Sequence, residues 1–342
     1  MPMKQDITLK APIEFGTLPT YAKFVGTLIP DEDGLFPRTE SGEFVVVDAV
    51  RRVMERSAVA LDAVQVPAFG GGKAEEWDMM IRDLKALGVA VDLVMMVGGV
   101  DPMDPADEDG VVEQLLAVLE VAKRNGVKHV ASTSIEQWMQ PGATPKTGGD
   151  FDAAVAQNIK LHLRVFEEAG LADSCVEAWH VEFLRPGEFQ TFTDLGKLWV
   201  FVKAINEQLG KPYFRCMIDA AHCGDSPLGI EENESLIAEV AAGGGLGVMH
   251  ASAPTTRGCL STDDGWVAAI LAAAAKTGKM ERVFVEMFHH DDEALEALRA
   301  LDPGHGVDTT DGRDYVQVVA DGLENVARIL NNYVARGIIP GN

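Results

Sequence analysis

Basic side chains are scarce in this sequence. It has 29 lysines and arginines against 53 aspartates and glutamates, which gives a formal net charge of −24 over 342 residues. Such an acidic surface repels the phosphate backbone of nucleic acids and attracts cations. We therefore expect no nucleic-acid partner.

Long apolar runs and paired cysteines are also missing. The longest apolar run, residues 267–275, is far shorter than the ~20 residues that a membrane-spanning helix needs. Residues 1–6 lack the apolar core of a signal peptide, so we expect a cytoplasmic protein that does not associate with membranes. The four cysteines form no CxxC pair, which leaves reduced thiols as the expectation.

The sequence does contain a regular alternation of apolar strand patterns and helical patterns. After a first strand at residues 13–15 or 23–29, strands are predicted at 60–69, 89–97, 128–133, 175–183, 214–219, 246–250 and 282–288. Helices are predicted at 44–56, 75–87, 109–125, 153–168, 193–209, 231–242, 263–277 and 311–336. This alternation predicts an α/β fold, a single (β/α)8 TIM barrel.

The predicted barrel spans residues 1–342 as one domain. Residues 1–43 form an N-terminal extension that contains the first strand, and residues 291–310 form an insertion with a short helix before the last helix. An open doubly wound sheet is the alternative. It is less favoured because no glycine-rich dinucleotide fingerprint follows the first strand.

Each of the last four predicted strands ends in a potential metal ligand. Those ligands are Glu182, Asp219, His250 and Glu286, and they follow one another at intervals of 31 to 37 residues. The carboxyl ends of parallel strands meet at one mouth of a closed barrel, so these side chains should converge. Carboxylate and imidazole ligands predict one divalent cation, with Mn²⁺ expected and Mg²⁺, Co²⁺ or Zn²⁺ as alternatives.

Strand alternation predicts what lies below these ligands. Side chains two residues earlier share the interior face, which places Met217, Val248 and Phe284 in one core layer and His180 under Glu182. Arg215 and Arg282 should point into the opposite end of the barrel.

Several motifs resemble those of the xylose isomerase-like TIM-barrel superfamily, and especially its ketose 3-epimerase branch. Glu182 is followed six residues later by Glu188, Asp219 opens an Asp-x-x-His motif that ends at His222, and His250 precedes Arg257. The resemblance implies metal binding by Glu182, Asp219, His250 and Glu286, substrate contacts from Glu188, His222 and Arg257, and proton transfer by Glu182 and Glu286. Trp138, in the long loop 136–150, is a further candidate for substrate binding.

These features predict a metal-dependent sugar isomerase or epimerase that acts through an enediolate on a small carbohydrate, and a homo-oligomer (dimer or tetramer). A metal-dependent lyase, dehydratase or C-glycoside deglycosidase that eliminates from a 3-keto sugar is the alternative enzyme. The second alternative is a subunit that binds a metal and a sugar but catalyses no reaction. Trinuclear-zinc endonucleases of the same superfamily do not fit, because no histidine precedes His129.

Overall fold

Eight parallel strands form a closed barrel in sequence order. The computed structural model describes residues 6–253, 263–301 and 314–342. The strands are β1 Glu14–Thr17, β2 Ala63–Ala68, β3 Ala90–Met95, β4 His129–Ser132, β5 Ala178–Glu182, β6 Phe214–Asp219, β7 Leu246–Ala251 and β8 Arg282–Val285. The barrel closes because β1 pairs in parallel with β8. The prediction of a (β/α)8 barrel is confirmed, and the open sheet is wrong.

The helices surround this barrel. They are α1 Val45–Arg56, α2 Ala74–Ala86, α3 Glu108–Arg124, α4 Gly149–Glu168, α5 Leu195–Leu209, α6 Ala220–Asp225, α7 Ile230–Ala242, α8 Trp266–Lys276, α9 Glu296–Leu301 and α10 Tyr315–Ala335. In the three described ranges, no helix has the length and apolar character needed to cross a membrane.

Two local predictions need correction. The first strand is at Glu14–Thr17, so the alternative at residues 23–29 is wrong: Lys23 has a φ of 66°, and turns follow it. The helix α6 was not predicted. It starts directly after β6 because the Asp219 side chain accepts a hydrogen bond from the backbone N–H of Ala221. Within the insertion, α9 confirms the short helix, and residues 302–310 lie outside the described residues.

The middle of the barrel is filled with apolar side chains. Met217, Val248 and Phe284 belong to one buried cluster, which confirms the predicted core layer. Gly16 of β1 makes room for this layer, because a Cβ atom there would lie 2.7 Å from the Phe284 ring. A packed layer of this kind separates the two ends of the barrel.

Arg215 and Arg282 lie at the N-terminal end of the barrel, as predicted, and both form ion pairs there. Arg282 contacts Asp92 through Nη1 at 2.5 and 2.6 Å and also contacts Glu14. Arg215 pairs with Glu281 at 2.7 Å. These charges are paired with one another, so they hold the strands together at this end.

A buried histidine on α4 should make stability depend on pH. His162 is fully buried, and burial lowers its pKa from 6.5 to about 4, although the Asn158 carbonyl opposes this. The His162 ring therefore binds a proton more tightly in the unfolded chain than in the folded protein. The folded state loses stability relative to the unfolded chain as the pH falls from 6.5 towards 4. We expect a loss of roughly 3 kcal/mol, measured as the free energy of unfolding in urea from pH 7 to pH 4.

The matched variant for this measurement is His162→Leu. This variant removes the titrating ring from a pocket formed by Trp179, Phe201 and Phe214 and keeps an apolar side chain there. Its unfolding free energy should fall less steeply between pH 7 and pH 4 than that of the wild type. Identical slopes for the two proteins would contradict the assignment of the pH dependence to His162.

Candidate metal centre and active site

The four predicted ligands lie together at the C-terminal mouth of the barrel. Glu182 ends β5, Asp219 ends β6, His250 is near the end of β7, and Glu286 follows β8 directly. All four are buried, with exposures of 6%, 0%, 1% and 6% respectively. Burying three carboxylates and one imidazole in one place is costly unless they are paired or bind a cation.

The distances between these side chains suit one small cation. His250 Nδ1 lies 3.3 Å from Glu182 Oε1 and 3.6 Å from Glu286 Oε2. Ligand atoms of Asp219, His250 and Glu286 all lie within 4.8 Å of one another. Two ligands that each lie ~2.2 Å from one cation are about 3.1 Å apart when adjacent and about 4.4 Å apart when opposite. The observed spacings are close to this range.

Neighbouring groups orient two of the ligands. Asp219 Oδ1 accepts hydrogen bonds from the Ala221 N–H at 2.6 Å and from the Ser252 hydroxyl at 2.9 Å. His250 Nε2 donates to Gln65 Oε1 at 2.6 Å, and this contact directs Nδ1 towards Glu182 and Glu286. Outer contacts of this kind fix the tautomer and the orientation of metal-binding side chains.

The electrostatics of His250 indicate that the centre attracts positive charge. Burial lowers its pKa, but the carboxylates of Glu286 and Glu182 outweigh burial and raise the pKa well above its usual value. A divalent cation competes with this proton for the same Nδ1 atom and neutralises more of the acidic charge. The donor set therefore fits a divalent metal ion.

His222 lies beside the ligands but is oriented as a hydrogen-bond donor. Its Nδ1 accepts the backbone N–H of Arg185 at 3.1 Å, so the proton of the neutral ring is on Nε2. Nε2 is 3.6 Å from Asp219 Oδ2 and 3.8 Å from Glu182 Oε1. A ring in this tautomer presents an N–H to the centre, which suits contact with a substrate oxygen better than metal ligation.

Two other predicted substrate residues, Glu188 and Trp138, border the same centre. Glu188 Oε1 accepts a hydrogen bond from Trp138 Nε1 at 3.1 Å, and Glu188 Oε2 accepts one from Arg185 Nε at 3.1 Å. Arg185 is held in turn by Asp225 at 3.3 Å. Arg257 lies outside the described residues.

A cavity of about 230 Å³ lies directly above the ligands. Glu182, His250, Glu286, Glu188 and Trp138 all line it. A larger cavity of about 750 Å³ lies beside α4, but the groups of potential metal ligands found in the described residues do not line it. The smaller cavity, below the ~300–1,000 Å³ typical of clefts for drug-sized ligands, suits a substrate of about monosaccharide size.

Gln65, Arg185 and Ser252, which also contact the centre, were not predicted from the sequence. Gln65 is the most informative omission, because it is a polar residue at an inward-facing position in the otherwise apolar strand β2 and is 1% exposed. A polar side chain within a buried strand indicates a specific polar partner, and this feature could be seen in the sequence. Its partner, His250, is 185 residues away and could be identified only from the folded barrel.

We expect Gln65→Leu to weaken metal binding. The substitution keeps the approximate size of the side chain but removes the acceptor that orients His250, and losses of this kind usually cost about 10–100-fold in metal affinity. Calorimetric titration of the metal-free protein with MnCl₂ measures the effect. Gln157→Leu on α4, where the buried amide contacts Glu108, is the matched control and should keep wild-type affinity. Wild-type affinity in Gln65→Leu would show that Gln65 does not position the ligand.

The fold of this chain is similar to that of several solved structures. No protein-family model and no curated protein sequence matches the chain. Among solved structures, it is similar to an L-ribulose 3-epimerase, with a TM-score of 0.71 at 16% identity over 95% of this chain and 97% of that one. The D-allulose 3-epimerase from Methylomonas sp. in complex with D-allulose gives a TM-score of 0.68 at 12% identity over 94% and 99% of the two chains.

A third neighbour is the IolI protein with a bound zinc atom. Its TM-score is 0.59 at 12% identity, and the match covers 96% of this chain and 100% of that one. The chain therefore shares the (β/α)8 fold of IolI and of the two 3-epimerases.

Proposed function

We propose that this protein is a divalent-metal-dependent sugar isomerase or epimerase that transfers a proton through an enediolate. The observation that carries the proposal is the position of His250 Nδ1, 3.3 Å from a Glu182 oxygen and 3.6 Å from a Glu286 oxygen. This cluster forms the floor of a cavity in a fold that sugar 3-epimerases share.

Glu182, Asp219, His250 and Glu286 would hold the cation. When bound, the cation polarises the carbonyl and hydroxyl of the sugar and so acidifies the adjacent C–H bond. Glu182 ends β5 and Glu286 follows β8 directly, so the two carboxylates come from different parts of the barrel rim. One carboxylate removes the proton, and the other returns a proton to the same or the opposite face.

The remaining polar residues position the sugar. His222 donates its Nε2–H to a substrate oxygen, and Glu188 accepts a hydrogen bond from a substrate hydroxyl. Contacts with Trp138 and Arg185 keep the Glu188 carboxylate in place. Arg257 contributes a further contact, as the resemblance in sequence implies, and the Trp138 ring covers one face of the sugar.

We propose Mn²⁺ as the native cation, because oxygen ligands outnumber nitrogen ligands by three to one at this centre. The zinc in IolI makes Zn²⁺ the first alternative to test. Elemental analysis of the protein as purified distinguishes the two metals. The homo-oligomer and the cytoplasmic location stay predictions, and light scattering of the purified protein tests the first of them.

Solvent-deuterium exchange tests the proposed function. The protein is incubated with Mn²⁺ in D₂O with a panel of ketoses and 3-keto sugars, and NMR follows each C–H position. Exchange next to the carbonyl, together with formation of an epimer or isomer, is the expected result. An unsaturated product or a released aglycone would indicate the lyase or deglycosidase instead. Binding of the metal and a sugar without any exchange would indicate a non-catalytic subunit.

A further inference from the structure

The cavity above the metal ligands has two chemically different sides. The acidic side is formed by Glu182, Glu286 and Glu188. A second part of the lining, here called the apolar wall, consists of Leu18, Phe24, Phe69, Met96, Val97 and Phe288. The first four residues of the apolar wall follow β1, β2 or β3, whereas the metal ligands come from β5 to β8. A substrate with its reacting carbons at the cation therefore places its other end against hydrocarbon.

The apolar wall is held in place by contacts within the protein. The ring of Phe24 packs edge-on against Phe69, with centroids 5.2 Å apart, and against Phe288 at 6.0 Å. Leu18 is 2% exposed and Phe24 5% exposed. The backbone N–H of Phe24 donates to the fully buried carboxylate of Asp292 at 2.5 Å, which fixes this segment on the barrel.

Polar atoms next to the apolar wall already have partners within the protein. The Thr20 hydroxyl donates to the Met287 carbonyl at 2.8 Å, and the Gly98 N–H donates to Gln114 at 3.0 Å. Among the described residues that line the cavity on this side, Thr133 supplies the remaining side-chain hydroxyl. A polyol chain placed here would lose hydrogen bonds to water and regain few of them.

We propose that the substrate is a ketose whose end away from the reacting carbons lacks hydroxyl groups, that is, a terminally deoxygenated ketose. This inference rests on the proposed function, because the orientation of the sugar is set by its carbonyl and hydroxyl at the cation. The cavity of about 230 Å³ limits the substrate to roughly the size of a hexose. A terminal methyl group gains from contact with Phe24, Phe69 and Met96, whereas a terminal hydroxyl there loses its hydration.

Matched pairs of sugars test this inference. Several 6-deoxyketohexoses and their 6-hydroxy parents are compared by the kcat/KM of C–H exchange in D₂O with Mn²⁺. We expect the deoxy sugar to be preferred about 10–100-fold in the pair with the correct stereochemistry, because a site gains or loses about that much for one buried group of this kind. Equal values, or faster exchange of the parent sugar, would overturn the inference and leave the proposed function intact. Absence of exchange with every sugar would contradict both.

A change in the apolar wall provides a second test. Met96→Gln keeps the length of the side chain but adds a hydrogen-bonding group beside the distal end of the substrate. The preference for the deoxy sugar should fall at least severalfold, whereas Met96→Leu should retain it. The affinity for Mn²⁺ should stay the same in both variants, because Met96 is not one of the proposed ligands. An unchanged preference in a folded Met96→Gln protein would contradict the role of the apolar wall.

Discussion

Replacing Glu286 by glutamine should lower the rate of substrate C–H exchange by about 10²–10⁴-fold, the usual contribution of a general acid or base. The amide has almost the same size as the carboxylate and keeps one oxygen towards the centre. The amide cannot take up a proton at neutral pH, so proton transfer is lost while the shape of the cavity is kept. Glu182→Gln should have an effect of the same order, because the proposed reaction needs both carboxylates.

Exchange of the substrate C–H with D₂O, followed by NMR at saturating Mn²⁺, measures this loss directly. Glu281→Gln is the matched control, because it is the same substitution beside β8 at the opposite end of the barrel, where Glu281 pairs with Arg215. The control should exchange substrate at the wild-type rate. Wild-type exchange in folded Glu182→Gln and Glu286→Gln proteins would show that neither carboxylate transfers the proton.

Removal of the metal should abolish activity and lower thermal stability. Without a cation, the carboxylates of Glu182, Asp219 and Glu286 are buried close together, with the imidazoles of His250 and His222 beside them. A ligand that binds only the folded state stabilises it by ~2.7 kcal/mol at 100 times its Kd. For a protein of this size we expect Tm to rise by about 4 °C when Mn²⁺ is added to the EDTA-treated sample.

Calorimetric scans of the metal-free protein, with and without Mn²⁺, measure this shift. Asp219→Asn should lose most of the rise in Tm, whereas Asp83→Asn on the exposed surface of α2 should keep it. Activity should return together with Tm when the cation is restored. Full activity in a rigorously metal-free sample would exclude the metal-dependent mechanism.

The positions of the four proposed ligands could be predicted because each stands at the end of a strand. In a parallel barrel, every strand ends at the same mouth, so a side chain at the end of any strand lies at that mouth. Glu182, Asp219, His250 and Glu286 therefore lie together as the spacing indicated. The alternation of side chains along the strands was also sufficient to predict that Met217, Val248 and Phe284 form one core layer.

Contacts between distant strands could not be predicted in the same way. Gln65 meets His250, and the Ser252 hydroxyl meets Asp219, only because the closed barrel brings the strands to one mouth. The short helix α6 was missed because its start depends on the Asp219 side chain acting as a cap. The apolar wall was missed too, since Phe24 and Phe69 come from separate connections that meet only in the folded protein.

Anomalous diffraction from crystals grown with Mn²⁺ locates the cation directly and so tests whether these four side chains bind it. The expected result is one strong anomalous peak at the C-terminal mouth, about 2.0–2.4 Å from oxygen atoms of Glu182, Asp219 and Glu286 and from His250 Nδ1. A peak elsewhere, or no peak at a Mn²⁺ concentration that restores activity, would contradict it.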